Sequence, residues 1–185
     1  MKNIFETDPE SHYRFSWDFK VSVNVSWRQF AQEKFVQDVC DILEEEYFPA
    51  SNLILELTEH CQALDEQILK WHIAEFHKYG VGISADDFGS GYSSLNMLKD
   101  IKMDTIKLDM GFLRKTRNNE RSMSIVSNVI HLSKRLGMEV VTEGVETREQ
   151  VDALTMMGCD VFQGYYFAKP MSVWDYEDKY ISTEG

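Results

Sequence analysis

The chain has 185 residues, of which 43% are hydrophobic, which is enough for one globular domain with its own core. Its formal net charge of −12 disfavours a DNA or RNA polymer as partner, and no lysine- and arginine-rich stripe with interleaved aromatic residues offsets this charge. No apolar stretch approaches the roughly 20 residues that cross a bilayer and no secretory leader follows Met1, so we expect a cytoplasmic protein without a membrane segment.

Along the chain, an irregular segment or helix remnant over residues 1–20 precedes a predicted domain over residues 21–185, in which short apolar runs alternate with amphipathic segments. The predicted strands are Val21–Val25, Leu53–Leu57, Gly82–Ala85, Thr105–Leu108, Glu139–Thr142 and Asp160–Phe162. Three helices are predicted from apolar stripes: Phe30, Phe35, Val36, Val39, Ile42 and Leu43; Ile68, Trp71, Ile73, Phe76 and Tyr79; and Ile125, Val129, Ile130 and Leu132, with a C-cap at Gly137. Cys40, Cys61 and Cys159 lack Cys-x-x-Cys spacing and are predicted to be buried small hydrophobic residues.

Repeated strand-helix units of this length predict an α/β fold with a parallel sheet. About six such units fall short of the eight strands of a closed barrel, so we expect an incomplete TIM-like (β/α) barrel that lacks its first two strands. The missing strands would precede Val21. An open sheet edge predicts a homodimer or poor solubility.

The most informative segment begins with the strand at Gly82, after which Asp86 and Asp87 stand side by side before a glycine-rich turn. In parallel α/β folds, functional groups collect at the carboxyl ends of the strands. Two adjacent carboxylates at that edge therefore predict a metal site. The alternative is that the pair only caps a turn.

The other predicted strands also end in polar side chains. The full set is Asn24, Glu56, Asp86 with Asp87, Lys107, Glu143 and Gln163. Singly, each has a structural explanation as a turn former, a helix N-terminal charge or a surface lysine. Together they predict one rim of metal-binding, acid-base and hydrogen-bonding groups.

Six motifs in one order resemble the EAL domain family of bacterial cyclic-di-GMP phosphodiesterases. They are Asn24-Val25-Ser26, Glu56-Leu57-Thr58-Glu59, the run from Asp86 to Leu95, Lys107-Leu108-Asp109, Glu143-Gly144-Val145-Glu146 and Gln163-Gly164-Tyr165-Tyr166-Phe167. The resemblance implies a TIM-like barrel that linearises cyclic-di-GMP to pGpG with two Mg²⁺ or Mn²⁺ ions. It also implies upstream regulatory domains in a longer parent protein.

By this resemblance, Asn24, Glu56 and Asp86 are ligands of the first metal, and Asp86 with Asp87 engages the second. Hard oxygen ligands of this kind are those that Mg²⁺ and Mn²⁺ prefer.

The resemblance also gives Lys107 the role of orienting or deprotonating the attacking water, with a lowered pKa near the metals. Glu143 and Gln163 complete the metal and water shell, and Glu59 anchors the loop from Asp87 to Tyr92.

One departure concerns the motif that names the family. Its glutamate, a metal ligand in the family, lies well before the position of Asn24, and only 23 residues precede Asn24 here. The loss of a ligand weakens a binuclear site, so we expect impaired activity in this chain, which is a fragment of a longer enzyme or a shortened member. The retained site residues favour the fragment.

Two other functions stay open at this point. A catalytically inactive EAL-like module would bind cyclic-di-GMP or a partner. A barrel lyase of the enolase type would use Mg²⁺ on Glu56, Asp86 and Glu143, with Lys107 abstracting a proton from carbon. The adjacent Asp86 and Asp87 suit a bridged two-metal hydrolase better than a lyase.

Overall fold

The computed structural model describes residues 19–58, 65–88, 101–109 and 120–181. The strands are β1 (Val21–Val25), β2 (Leu53–Leu57), β3 (Gly82–Phe88), β4 (Thr105–Leu108), β5 (Glu139–Thr142) and β6 (Val161–Phe162). The helices are α1 (Trp27–Phe30), α2 (Phe35–Glu45), α3 (Glu66–Tyr79), α4 (Glu120–Arg135), α5 (Arg148–Met156) and α6 (Val173–Tyr176). A 3-10 turn (Ala50–Asn52) precedes β2, and a π-helical turn (Glu177–Ile181) follows α6.

All strand pairs of the sheet are parallel, and the strands lie side by side in sequence order from β1 to β6. Within the described residues the sheet stays open, with β1 and β6 at its two edges. The prediction of an α/β fold built from six parallel units is confirmed. The predicted end of β3 at Ala85 is too early, because the strand continues to Phe88 through a register shift. The predicted boundary at residue 20 stays a prediction.

The two faces of the sheet differ in chemistry because side chains alternate along a strand. One face carries the apolar side chains that pack against the helices, including Leu55, Leu57, Ile83, Ile106 and Val140, all at most 2% exposed. The opposite face carries polar side chains that lie side by side in register: Asn24, Glu56, Ser84, Thr105 and Glu139. The hydrophobic core thus lies between the sheet and the helices, and the polar side chains lie together on the opposite face, which we call the inner face of the sheet.

The second and third predicted helices are present as α3 and α4, with their buried faces rotated from the predicted stripes. The first predicted stripe is divided, because Phe30 ends α1 and Phe35 begins α2. In α3, Ile68, Trp71 and Tyr79 are exposed, and the buried residues are Leu69, His72, Ile73 and Phe76. In α4, Val126 and Ile130 are buried while Ile125 and Leu132 are exposed. The buried set of α3 follows the i, i+3, i+4, i+7 spacing of one helix face, and only Ile73 and Phe76 of the predicted stripe belong to it. Ile42 of α2 is also exposed.

Two smaller predictions concern single residues. Cys40 and Cys159 are buried free thiols, as expected, and Cys61 lies outside the described residues. Gly137 follows α4 with a φ of 79°, in agreement with the predicted C-cap. Within the described part of the chain, no helix combines the length and apolar character that a bilayer crossing requires.

One buried residue of α3 is ionisable. His72 is 2% exposed, and its ring lies 5.3 Å from the ring of Phe30 and 5.0 Å from that of Trp71. Burial lowers the pKa of this imidazole, and nearby backbone groups of Ile68 and Gln32 oppose the shift only in part. The unfolded chain therefore binds a proton at His72 at a higher pH than the folded chain does.

We predict that His72 makes the fold acid-sensitive. Because the pKa of His72 is lower in the folded than in the unfolded chain, His72 does not affect stability above the unfolded pKa of about 6.5. At pH values below about 6.5, the free energy of unfolding decreases by up to about 1.4 kcal/mol per pH unit. The variant His72→Leu should lose this part of the pH dependence in urea unfolding measured between pH 7.5 and 5.5. The control His131→Leu, at an exposed position of α4, should keep it. An unchanged slope in His72→Leu would contradict the assignment.

Candidate functional site

A buried lysine lies at the centre of the polar face. Lys107 Nζ, at the end of β4, is 2.7 Å from Glu56 Oε2 of β2 and 2.7 Å from Glu143 Oε1, which directly follows β5. The same nitrogen lies 3.7 Å from Asp86 Oδ1 of β3. Four consecutive strands of the sheet thus bring one charged side chain each to a common point.

The charges of this cluster do not balance. Three carboxylates face one ammonium group, and the exposed side-chain fractions are 8% for Lys107, 5% for Glu56, 13% for Asp86 and 20% for Glu143. In a region so poorly screened by water, like charges repel strongly. The excess negative charge gives the cluster an affinity for a further cation.

The pKa values of two members reflect this imbalance. Burial raises the pKa of the Glu143 carboxyl, Lys107 opposes the shift, and Asp86 and Glu56 add to it. For Lys107, burial lowers the pKa, but the hydrogen bonds and charges of Glu143 and Glu56 together outweigh it and leave the pKa raised. The protein's own carboxylates thus raise the pKa of Lys107, and the lowered pKa expected beside bound metals stays a prediction.

Asp86 and Glu143 also belong to a second cluster of carboxylates, which includes Asp87. Carboxylate oxygens of Asp86, Asp87 and Glu143 all lie within 4.8 Å of one another. Neighbouring residues of a regular strand point to opposite faces, but β3 has a register shift between Ala85 and Phe88, and Asp87 has a φ of 53°. The irregular backbone brings both aspartates within reach of Glu143. The Asp87 backbone N–H donates to Asp86 Oδ1 at 2.9 Å.

This donor set fits a hard divalent cation such as Mg²⁺ or Mn²⁺, which takes carboxylate oxygens as ligands. Asp86, Asp87 and Glu143 are the residues whose oxygens already converge. Glu56 lies within the same cluster through its contact with Lys107. An incoming cation would share Glu143 and Asp86 with the lysine.

Two further predicted site residues form no side-chain hydrogen bond with this cluster within the described residues. Asn24 pairs in register with Glu56, but its side chain is exposed, and within the described ranges it makes no hydrogen bond. Gln163 is also exposed at the rim; its backbone N–H donates to Thr142 O at 2.8 Å. Glu59 and the loop over residues 89–100 lie outside the described residues.

Ser84 is one residue of the site that sequence reasoning missed, since it counted only as a small residue of a buried strand. It is 1% exposed, it lies in register between Glu56 and Thr105, and its hydroxyl has no hydrogen-bond partner among the described residues. The available signal was its position two residues before Asp86, which places both side chains on one face of a regular strand.

The comparisons with known proteins bear on this arrangement. The family model described as "EAL domain" matches residues 10–170. The chain belongs to the EAL domain family. It is 38% identical over 154 residues to the bifunctional diguanylate cyclase/cyclic di-GMP phosphodiesterase MucR of Pseudomonas aeruginosa, covering 83% of this chain and 22% of MucR. It is 34% identical over 163 residues to the cyclic di-GMP phosphodiesterase PdeR of Escherichia coli, covering 88% of this chain and 25% of PdeR. The chain thus spans about a quarter of the length of each of these relatives.

Solved structures share the fold of this EAL domain. The PaMucR phosphodiesterase in complex with c-di-GMP superposes with a TM-score of 0.79 at 37% identity, covering 85% of this chain and 64% of that one. A manganese and cyclic-di-GMP complex of BlrP1 from Klebsiella pneumoniae superposes with a TM-score of 0.75 at 28% identity, covering 82% of this chain and 39% of that one. The TIM-like fold class predicted from the sequence is confirmed by these neighbours.

We predict that Lys107 stabilises the fold by neutralising the carboxylates. The variant Lys107→Met should lose about 3–5 kcal/mol of unfolding free energy in EDTA, since it leaves buried carboxylates without their partner. Added Mn²⁺ should restore more stability to this variant than to the native protein, because the metal replaces the lost positive charge.

Urea unfolding with and without Mn²⁺ measures both effects. The matched control is Lys102→Met, at an exposed position before β4, which should change stability by less than about 0.5 kcal/mol. Equal stability of Lys107→Met and the native protein in EDTA would show that the lysine has no such role.

Proposed function

We propose that this EAL domain is a metal-dependent phosphodiesterase domain that hydrolyses cyclic-di-GMP to pGpG. The observation that supports this most is the convergence of Glu56, Asp86, Lys107 and Glu143, with Asp87 beside them, at the carboxyl ends of neighbouring strands. The relatives MucR and PdeR are named as cyclic di-GMP phosphodiesterases, and c-di-GMP is bound in the PaMucR structure.

The proposed metal ligands are Asp86, Asp87 and Glu143, joined by Glu56 and Asn24. When bound, two Mg²⁺ or Mn²⁺ ions supply positive charge for the phosphodiester oxygens and make a water molecule more acidic. BlrP1, a structural neighbour, has been solved with manganese and with calcium, each together with cyclic-di-GMP. Gln163 and Glu59 complete the proposed site.

Lys107 has the geometry to hold a water molecule. Its ammonium group has three N–H donors, and two of them are directed to Glu56 and Glu143 at 2.7 Å. The distance of 3.7 Å to Asp86 is too long for a hydrogen bond, so among the described residues the third donor has no acceptor and can serve a water or a phosphate oxygen. Held by Glu56 and Glu143, Lys107 is proposed to orient the attacking water or to help deprotonate it.

We expect the activity of this chain to be low. The tripeptide Glu-Ala-Leu does not occur in its 185 residues, and the resemblance assigns a metal ligand to that glutamate. Loss of groups that support a metal site typically weakens it about 10 to 100-fold. A homodimer, upstream regulatory domains and a cytoplasmic location stay predictions. Within the described residues β1 and β6 are unpaired edge strands, which favours association of two copies.

A second candidate is a binding module that holds cyclic-di-GMP without hydrolysing it. It is favoured by one specific observation: Asn24 and Gln163, both proposed site residues, have exposed side chains that make no hydrogen bond to the carboxylate cluster within the described residues. In that case the rim would bind the dinucleotide while the cluster lacked the geometry for turnover.

We predict slow, Mn²⁺-dependent formation of pGpG, at least about tenfold below that of the MucR EAL domain assayed beside it. Glu56→Ala and Lys107→Ala should each lower the remaining turnover at least about 100-fold with the circular dichroism spectrum unchanged, because each removes a charge from the cluster. Chromatography of the product measures the rate.

The matched control is Glu139→Ala, an exposed glutamate at the start of β5, which should keep the native rate. Calorimetric titration with cyclic-di-GMP separates the two candidates: binding without product supports the module, and neither binding nor product contradicts both. Normal turnover in Glu56→Ala or Lys107→Ala would refute the roles proposed for them.

A further inference from the structure

The turns that follow β5 and β6 touch through their backbones. A Cβ atom built on Gly164 would lie 2.2 Å from Val145 O, 2.3 Å from Val145 N and 2.8 Å from Val145 C. Real Cβ atoms essentially never approach another heavy atom within 3.0 Å. Because all three neighbours are backbone atoms, no side-chain rotation can relieve the overlap, and the contact requires glycine at this position.

Hydrogen bonds on both sides of Gly164 hold Val145 in this contact. The Val145 N–H donates to Gln163 O at 3.0 Å, and the Tyr166 N–H donates to Val145 O at 3.0 Å. The Val145 side chain is fully buried, at 0% exposed. The backbone of Val145 is therefore enclosed by the turn over residues 163–166.

The same segment carries Glu143, two residues before Val145. The Glu143 N–H donates to Leu108 O at the end of β4, and the Gln163 N–H donates to Thr142 O. Gly144, between Glu143 and Val145, has a φ of 66° and completes the tight turn. The backbone that bears the Glu143 carboxylate is thus held by β4 on one side and by the β6 turn on the other.

We propose that Gly164 is a positioning residue for Glu143. By presenting no side chain, it lets the β6 turn close on Val145, and this fixes the turn that directs the Glu143 carboxylate to Lys107 and to the oxygens of Asp86 and Asp87. The consequence for metal binding rests on the function proposed above; the consequence for the Glu143 backbone does not.

Another glycine of the same strand-helix unit provides a matched control. Gly158, before β6, has a φ of 92°, so alanine is strained there as well. Among the described residues its Cβ would meet only Ile130 Cγ2, at 3.9 Å. Gly158→Ala should therefore lower the melting temperature without disturbing the turn at Val145.

The experiment compares Gly164→Ala with Gly158→Ala at a temperature where both variants are folded. We expect Gly164→Ala to bind Mn²⁺ at least about tenfold more weakly, by titration followed with electron paramagnetic resonance, and Gly158→Ala to stay within about twofold of the native protein. Amide hydrogen exchange at Glu143 and Val145 should be faster in Gly164→Ala and unchanged in Gly158→Ala.

Native exchange rates at both amides in a folded Gly164→Ala would overturn the proposal, and so would Mn²⁺ affinity equal to that of Gly158→Ala. If the native chain binds no Mn²⁺, the metal site proposed above fails, and the exchange rates still decide the role of Gly164. If Gly164→Ala does not fold, Val145→Ala replaces it and Val126→Ala, a buried valine of α4, becomes the control. Faster exchange at Glu143 in Val145→Ala alone supports the proposal, and equal exchange in both overturns it.

Discussion

The arrangement of the site depends on one buried positive charge. Glu56, Asp86 and Glu143 come from three different strands or strand ends. Without a cation between them, the repulsion between their carboxylates would destabilise this arrangement. Lys107 supplies that cation from the fourth strand in the group. The protein therefore holds its acidic residues together before any metal arrives, and a metal would enter a cluster that is already assembled.

Much of the fold could be predicted because parallel strands and their connections leave a strong local pattern. The bounds of β1, β2, β4 and β5 follow directly from their apolar runs. The buried face of α3 could not be predicted as well, because Trp71 and Ile68 are larger and more apolar than His72, and only the packing against Phe30 shows that the histidine lies inside. Side-chain size in the sequence does not reveal which face of a helix meets the sheet.

The candidate site, like the fold, could be predicted from the sequence only in part. The strand-end positions of Glu56, Asp86, Lys107 and Glu143 predicted that they share one rim, and the described geometry brings these four together. The sequence could not show that Lys107 bonds two carboxylates and has a raised pKa, since this depends on distances across three strands. It also could not show the backbone contact of Gly164 with Val145, because a glycine in a turn has several explanations until its neighbours are known.

The residues of the cluster are connected in two different ways, and the irregular end of β3 provides one of them. Asp86 and Asp87 are consecutive residues, so their separation is set by one peptide unit and the local backbone, whereas Glu56 and Lys107 are joined across 51 positions of the chain. Small shearing motions between strands would therefore change the lysine contacts first and leave the aspartate pair nearly rigid. Asp86 and Asp87 thus keep their spacing through the local backbone, whereas the contacts of Lys107 depend on how neighbouring strands lie relative to one another.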